Sequence, residues 1–347
     1  MIIAHGANIC LLGHNLFHNL PEMGQGKHAL IFGASGVTGW SFVNEMLNDY
    51  PRPQIWNRVS ALTNRPLTRE AAMWPADERL DIVSGIDLLK GSQEELEEVM
   101  RSKIPQVNGV THVYYFAYKA NQDLHKELQD AVDMFRRAMY GCHQLSKRPQ
   151  EMRPPLQESL TNQRLPYMET TFYYPQLDWI RSYSEGKNWT WCDTRPDIIV
   201  GFVPNNNFYS LATSIAIFLA LHAAIDGEGS DCAFPGSAKS WVAKSNDSSS
   251  DMIARQTIHL SLNGFGDGEG YNVADARKWE SWESKWPKLC AYFGLRGVPP
   301  TEATTKVNKL RKYIYDHLPE WRVLEKEHGL RTGIADSDIT FEGFEVC

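Results

Sequence analysis

Strong positive charge, closely spaced cysteines and long hydrophobic runs are all absent from this sequence. Its 35 lysines and arginines are outnumbered by 42 aspartates and glutamates, and the resulting net charge of −7 argues against a nucleic-acid binder. The 6 cysteines are far apart and form no C-x-x-C pair, so no metal site and no disulfide framework are expected. Reduced thiols favour a cytoplasmic protein. Residues 209–225 are barely long enough to cross a bilayer and include His222, which predicts a buried helix rather than a membrane span.

Core-forming residues, by contrast, are plentiful. The chain of 347 residues is 42% hydrophobic and 11% aromatic, enough for a large buried core and about two domains. Residues 1–26 hold only a short apolar patch, Ile9–Leu12, with no cationic start before it and no clear cleavage site after it. We therefore interpret residues 1–26 as an N-terminal extension and do not expect a secretory signal.

The first segment that indicates a chemistry begins at residue 28. His28–Phe32 is a short apolar run, and a glycine-rich turn and the helical spacing of residues 40–47 follow it. Such an arrangement brings backbone N–H groups and a helix N-terminus up to a pyrophosphate, and side chains at the glycines would block this approach. The pattern predicts a dinucleotide site, with a plain structural turn as the alternative. The predicted contacts in the turn are Gly33, Ser35, Gly36, Val37, Thr38 and Gly39.

The next two predicted strands indicate which dinucleotide binds. Val59–Thr63 ends in Asn64 and Arg65, where the chain meets the adenosine ribose in a nucleotide-binding βαβ unit. An acidic residue there would favour a free 2′-hydroxyl, whereas Arg65 neutralises a 2′-phosphate, so NADP(H) is predicted. A solvated surface arginine is the alternative. Residues 80–84 form the third strand, and Asp87 and Leu88 after it join the predicted cofactor site; Asp87 either accepts from the adenine amino group or caps the following helix.

The fourth predicted strand, Val110–Tyr118, is apolar on both faces, which is typical of a central strand of a parallel sheet. Its carboxyl end should lie beside the nicotinamide, because open α/β sheets bind ligands at the carboxyl ends of their strands. Ala117 is the cofactor contact expected there. Simple core packing of the neighbouring aromatic residues is the alternative.

The motifs GASGVTG, TNR, GIDL and THVYYFAY, in this order, resemble the atypical extended short-chain dehydrogenases of the progesterone 5β-reductase and iridoid synthase group. The resemblance covers residues 27 to about 325 and is closest to fungal members. Its most specific blocks are Phe172–Tyr174 (FYY) and Arg195–Phe202 (RPDIIVGF), and Ile199 in the second is an expected cofactor contact.

This resemblance implies an α/β fold with a Rossmann domain, a doubly wound parallel sheet, over residues 27–202. A smaller, mostly helical substrate or lid region is implied over residues 203–347, from which residues 270–274 are expected to return to the main sheet. The implied activity is NADPH-dependent reduction of a hydrophobic enone or carbonyl compound, in fungal secondary metabolism. The expected partner is that small hydrophobic substrate, and a homodimer is the assembly considered.

The same resemblance assigns a role to Tyr174. In enone reduction the substrate's carbonyl oxygen gains negative charge and needs a hydrogen-bond donor. Tyr174 corresponds to the group's catalytic phenol, with an aromatic core residue as the alternative. The wider superfamily's Y-x-x-x-K motif is absent, because Asp178 stands four residues after Tyr174.

The chain departs from the group at one point that bears on activity. The group supplies a lysine close to the phenol, from a strand and a Q-T-G-x-K-x-Y-G turn that precede the FYY block, and a nearby cation makes a phenol a better acid. Here the helix predicted over 123–138 runs directly into Met139-Tyr140-Gly141, so Ala138 falls where that lysine should be. Residues 139–165 contain no apolar run of the ~5–6 residues that a central strand needs, so the sheet is expected to lack one central strand.

A deletion in the gene model, a splicing error and a real loss of function would each explain this departure. Lys147, or less favourably Arg137, is the candidate replacement cation, with a solvated loop lysine as the alternative. Two functions remain open as a result: a reductase, or an NADP(H)-binding protein without turnover, such as a sensor or an inactive paralogue. A sugar-nucleotide epimerase or dehydratase is a weaker third candidate.

Overall fold

The computed structural model describes residues 8–13, 26–121, 123–145, 172–187, 189–204, 210–265, 267–301 and 309–330. Contacts divide the chain into two units, which we call the sheet unit and the C-terminal unit. The sheet unit comprises Gly6–Arg195 and Asp251–Val273, and the C-terminal unit consists mainly of Pro196–Ser250 and Ala274–Cys347. The chain thus changes unit at Pro196, slightly before the expected boundary at residue 202.

The strands are short, and several coincide with the apolar runs of the sequence. In chain order they are β1 Asn8–Gly13, β2 Lys27–Phe32, β3 Trp56–Thr63, β4 Leu80–Ser84, β5 His112–Tyr115, β6 Trp189–Pro196, β7 Ile198–Val200, β8 Asp231–Ala233, β9 Asp247–Ser249, β10 Asp267–Val273 and β11 Arg296–Val298.

The helices alternate with the parallel strands in the first half of the chain and predominate in the second. In chain order they are α1 Val37–Leu47, α2 Arg69–Ala72, α3 Gln93–Lys103, α4 Leu124–Leu145, α5 Tyr173–Ser184, α6 Leu211–Asp226, α7 Ala238–Val242, α8 Ser250–Leu262, α9 Trp282–Tyr292, α10 Lys309–Asp316 and α11 Leu318–His328.

The described residues of the sheet unit form a seven-stranded sheet in the order β10-β6-β1-β5-β2-β3-β4. Strands β5, β2, β3 and β4 are parallel to one another. Because β3 and β4 lie on one side of β2 and β5 lies on the other, the strand order reverses between β2 and β5, and doubly wound sheets bind their ligands at such a switch point. The predicted fold class, a Rossmann-type α/β fold, is confirmed.

The central position expected to be vacant is occupied. Strand β1 lies between β5 and β6 and is antiparallel to both, so β5 and β6 are themselves parallel. The interpretation of residues 1–26 as an extension outside the sheet therefore needs correction, because Asn8–Gly13 is one of its central strands. An apolar patch of four residues carries no signal of this pairing, since the partner strands are about 100 and 180 residues further along the chain.

Helix α4 is longer than predicted and ends at Leu145 rather than Ala138. Tyr140 and Gly141, which follow the predicted helix, therefore lie within α4. A Cβ on Gly141 would lie 3.0 Å from the Met100 sulfur, so this glycine allows α4 to pack closely against α3. Ala138 is fully buried in the hydrophobic core shared by the sheet and these helices.

The C-terminal unit has its own core, formed by α6, α9, α10 and α11 around Phe218, Phe234 and Trp286. Its small paired strands are β7 with β9 and β8 with β11. The predicted buried helix is α6, and no helix in the described part of the chain is long and apolar enough to cross a membrane. Strand β10, which includes residues 270–273 of the segment expected to return, lies next to β6 in the main sheet.

Candidate active site

The glycine turn leaves the buried strand β2 at the switch point. Gly33 has a φ of +76°, and a Cβ on it would lie 2.7 Å from the carbonyl oxygen of Phe116. A Cβ on Gly39 would lie 2.3 Å from the Gly33 carbonyl oxygen. Both positions therefore require glycine, because the atoms that a side chain would meet belong to the backbone. The first glycine lets the turn approach the end of β5, and the third lets α1 approach the turn.

Helix α1 begins directly after this turn. Gly36 is its N-cap residue and has no side chain to accept from the first-turn N–H groups. Val37 and Thr38 are buried, whereas Ser35 and Gly36 are partly exposed. The N-terminus of α1 consequently offers backbone donors and the positive end of the helix dipole to an anion. The predicted phosphate contacts are thus brought together in one backbone cradle.

Asn64 and Arg65 follow β3, the neighbour of β2, and both are exposed. The Thr63 hydroxyl fixes the turn by donating to the Arg65 carbonyl at 2.7 Å. The Gly85 N–H donates to the Asn64 carbonyl at 3.1 Å, which ties the segments after β3 and β4 to each other. This backbone is therefore held in place, while the Arg65 guanidinium is open to solvent at the carboxyl edge of the sheet.

Asp87 organises the turn after β4. Its Oδ1 accepts from the Leu89 N–H at 3.0 Å, and the carboxylate is partly exposed. It does not cap the next helix as one alternative proposed, because Ser92 caps α3 in a capping box with Glu95. Leu88 is buried and belongs to the hydrophobic core, so its side chain is a packing residue.

Residues 116–118 follow β5 and lie against the glycine turn. The Phe116 N–H donates to the Phe32 carbonyl at 2.9 Å. The Phe116 ring packs on the ring of Phe42 in α1, with 4.4 Å between the ring centroids. Phe116 is therefore also a packing residue. Ala117 is partly buried, and its backbone N–H is one of the atoms that a Cβ on Gly33 would meet.

Tyr118 connects this segment to two helices. Its hydroxyl donates to a carboxylate oxygen of Glu127 on α4 at 2.5 Å, and the other oxygen accepts from the Asn121 N–H at 3.0 Å. Its ring stacks on Phe172 at a centroid distance of 5.4 Å. Sequence reasoning missed Glu127 because nothing in the local pattern indicates that the loop folds back onto α4.

Tyr174 lies in the first turn of α5. Phe172, before it, packs on Ala131 and Val132 of α4, and the Gln176 side chain donates to the Ala131 carbonyl at 2.9 Å. The start of α5 is thereby fixed to α4, and Tyr174 itself is only partly buried. Tyr115 differs in this respect, because it is buried in the sheet and burial raises its pKa above the ordinary value, so its phenol stays protonated.

The predicted replacement cations have different outcomes. Lys147 lies outside the described residues. Arg137 is committed to another role, because its guanidinium donates to the carbonyls of Lys90, Gly91 and Ser92 at 3.0, 3.0 and 2.7 Å and thereby ties α4 to the start of α3. Ile199 lies in β7 of the C-terminal unit, paired with Ser248, whereas the other described candidates belong to the sheet unit.

Comparisons with known proteins agree with this geometry. Residues 29–347 match the PRISE-like Rossmann-fold domain family. The short chain dehydrogenase ausT of Aspergillus calidoustus is 34% identical over 297 residues, which cover 78% of this chain and 72% of that protein. A 3-oxo-Delta(4,5)-steroid 5-beta-reductase of Arabidopsis thaliana is 26% identical over 286 residues, which cover 78% and 69%.

Among solved structures, UDP-glucose 4-epimerase of Thermus thermophilus in complex with NAD matches with a TM-score of 0.50 at 15% identity, over 91% of this chain and 96% of that chain. This likeness shows the shared fold alone. The family matches confirm the resemblance that the sequence motifs indicated. The chain belongs to the PRISE-like Rossmann-fold family, within the short-chain dehydrogenase/reductase superfamily of oxidoreductases.

Proposed function

We propose that this protein is an NADPH-dependent reductase of a hydrophobic enone or carbonyl compound. The observation that carries the proposal is the backbone cradle at the switch point, where Gly33 and Gly39 leave no room for a Cβ. Arg65, exposed at the end of the adjacent strand, supports a 2′-phosphate and hence NADP(H) over NAD(H). The steroid 5-beta-reductase relative supports an enone substrate. The Aspergillus relative supports a fungal setting, and we propose that the reaction belongs to fungal secondary metabolism.

The roles of the side chains follow from this proposal. NADPH, when bound, supplies a hydride. The first-turn N–H groups of α1 would hold its diphosphate, and Arg65 would pair with its 2′-phosphate. The Tyr174 hydroxyl would donate a hydrogen bond, and then its proton, to the substrate oxygen on which negative charge develops.

A second candidate is an NADP(H)-binding protein without turnover. It is favoured by Ala138, which is buried in the core where the resemblance expects a lysine, and by the commitment of Arg137 to three carbonyls. Because a nearby cation makes a phenol a better acid, loss of the group's lysine would slow reduction even with the cofactor bound.

Titration with NADPH, followed by addition of a small cyclic enone, separates these candidates. The reductase is expected to bind NADPH and to oxidise it only when enone is present, and Tyr174→Phe is expected to keep binding but lose at least about tenfold in rate. Binding without oxidation across a panel of enones and carbonyl compounds would support the second candidate. Folded protein with no affinity for NADPH or NADH would contradict both.

A further inference from the structure

The place of β1 in the sheet is unusual, because a strand from the start of the chain separates two strands that are parallel to each other. Its register is continuous on both sides: Ile9–Leu12 pairs with Tyr115–His112 of β5, and Asn8–Gly13 pairs with Thr194–Trp189 of β6. Without β1, β5 and β6 would both have unpaired backbone groups facing a gap about two strand spacings wide, roughly 9–10 Å. We call this gap the β5–β6 slot.

One face of the β5–β6 slot is fixed by α8. The hydroxyls of Tyr114 on β5 and Ser261 on α8 share a hydrogen bond of 2.8 Å. The hydroxyls of Thr194 on β6 and Thr257 on α8 share another of 3.0 Å. All four residues are buried. One helix therefore holds both walls of the slot through contacts that involve no residue of β1.

The opposite face is fixed by α4 and α5. The Trp191 indole of β6 donates to the Ser184 hydroxyl of α5 at 3.1 Å. On the β5 side, the ring of Tyr115 lies edge-on to Phe135 of α4 at 5.1 Å, and Phe135 lies edge-on to Trp179 of α5 at 5.7 Å. Helices on both faces thus connect β5 to β6 through contacts that involve no residue of β1.

We propose that the β5–β6 slot is a strand-binding site: it is occupied by Asn8–Gly13 of the same chain, and the same segment offered in trans can replace that strand. Pairing with edges on both sides supplies the affinity, as in other cases of strand addition. A strand can form a hydrogen-bonded ladder with a neighbour that runs in either direction. An antiparallel strand can therefore occupy the β5–β6 slot, and it needs no crossover helix to reach it. The partner is this same segment, presented either as a peptide of residues 5–16 or as the N-terminus of a second copy of the chain.

The register provides a direct test on the intact chain. Cys10 and Cys192 are backbone partners in the antiparallel β1–β6 pair. Directly opposite residues have Cα atoms about 4.5–5.5 Å apart, within the 4.4–6.8 Å that a disulfide spans. Oxidation with diamide, which takes up two electrons and the two thiol protons, is expected to link Cys10 to Cys192, as detected by peptide mass spectrometry.

The matched control is the double variant Cys10→Ser with Leu11→Cys. It moves the thiol by one residue, to the position opposite Trp191, and neighbouring positions in a strand point to opposite faces. We expect the disulfide between the moved thiol and Cys192 to form at least about tenfold more slowly in this variant. Equal rates in the two proteins would overturn the register on which the proposal depends.

Exchange is tested on a full chain with a protease recognition sequence placed within residues 14–25. After native cleavage, a fluorescent peptide of residues 5–16 is expected to displace the resident strand with 1:1 saturation. A peptide with Leu11→Pro is expected to bind at least about tenfold more weakly, since proline removes a ladder N–H. Equal binding of the two peptides, or no binding of either, would overturn strand exchange.

Mixing Cys10→Ser chains with Cys192→Ser chains extends the test to a second copy. Here a Cys10–Cys192 link can form only between chains. Its appearance after oxidation would support exchange through the second copy's N-terminus. Absence of this link together with no peptide displacement would leave β1 as a permanent part of one chain and contradict the proposal.

Discussion

At the scale of single residues, Gly33 combines a positive φ with a close approach to the backbone of Phe116. A side chain added at Gly33 would clash with backbone atoms, which cannot move aside as a flexible side chain can. Gly33→Ala is expected to cost about 1–2 kcal/mol for the left-handed backbone and a further ~1–3 kcal/mol for the clash with the Phe116 carbonyl. NADPH affinity should fall with it, because the turn must move. Gly186→Ala is the control: its φ is +67°, but a Cβ there meets nothing within 4 Å. Urea unfolding and NADPH titration of both variants check this, and equal losses of stability would show that the contact with β5 is unimportant.

Arg65 is the residue that we propose distinguishes the two coenzymes. Arg65→Gln is expected to weaken NADPH binding by about 10–100-fold, since charge-assisted hydrogen bonds contribute roughly 1.5–3 kcal/mol, and to leave NADH binding unchanged. Arg69→Gln is the matched control, because Arg69 is also exposed, begins the nearby helix α2 and, among the described residues, pairs with its neighbour Glu70 at 3.5 Å. Calorimetry with both coenzymes measures the difference. A parallel loss for NADPH and NADH would assign Arg65 a role other than recognition of the 2′-phosphate.

At the scale of elements, α4 determines whether the expected lysine could simply be restored. Ala138 is fully buried among core residues, so Ala138→Lys is expected to destabilise the protein by roughly 3–5 kcal/mol, the cost of an uncompensated buried charge, without raising turnover. His125→Lys is the control on an exposed position of the same helix and should change stability by less than about 0.5 kcal/mol. Denaturant unfolding gives both values. A stable Ala138→Lys variant with faster NADPH oxidation would mean that Ala138 does occupy the catalytic position.

Local pattern predicted those elements whose boundaries are set locally. Strand β4 was predicted as Leu80–Ser84 and observed there, because an apolar run ends at a glycine with a φ of +77°. The glycine turn was also predicted, because its glycines lie between an apolar run and a segment with helical spacing. Helix α4 was predicted too short, because the prediction ended it at Ala138, whereas the helix continues through Gly141, which packs against Met100. The place of β1 depends on strands about 100 and 180 residues further along the chain, and the Tyr118–Glu127 hydrogen bond depends on a loop that folds back onto α4; no local pattern specifies either.

At the scale of the whole molecule, acid stability is linked to two histidines at the amino ends of the parallel strands. Both are almost entirely buried, with 4% of His28 and 2% of His112 exposed. The His28 ring hydrogen-bonds to the Ser60 hydroxyl at 2.9 Å, and the His112 ring to the Thr111 hydroxyl at 2.9 Å. Burial, with a smaller contribution from Arg58, lowers the pKa of His28 to about 4. Burial, with a smaller contribution from Lys27, lowers the pKa of His112 to about 3.

Stability is therefore expected to fall as the pH drops below about 6.5, the ordinary histidine pKa. In that range the unfolded chain binds protons that the folded chain excludes, so the free energy of unfolding decreases with pH, down to about pH 4 for His28 and about pH 3 for His112. At about pH 5 each histidine should contribute a loss on the order of 2 kcal/mol relative to about pH 8. Urea unfolding at several pH values measures this slope. His28→Asn and His112→Asn should each flatten the dependence of the unfolding free energy on pH, whatever their effect at neutral pH, because asparagine takes up no proton. An unchanged slope in both variants would place the acid sensitivity in other groups.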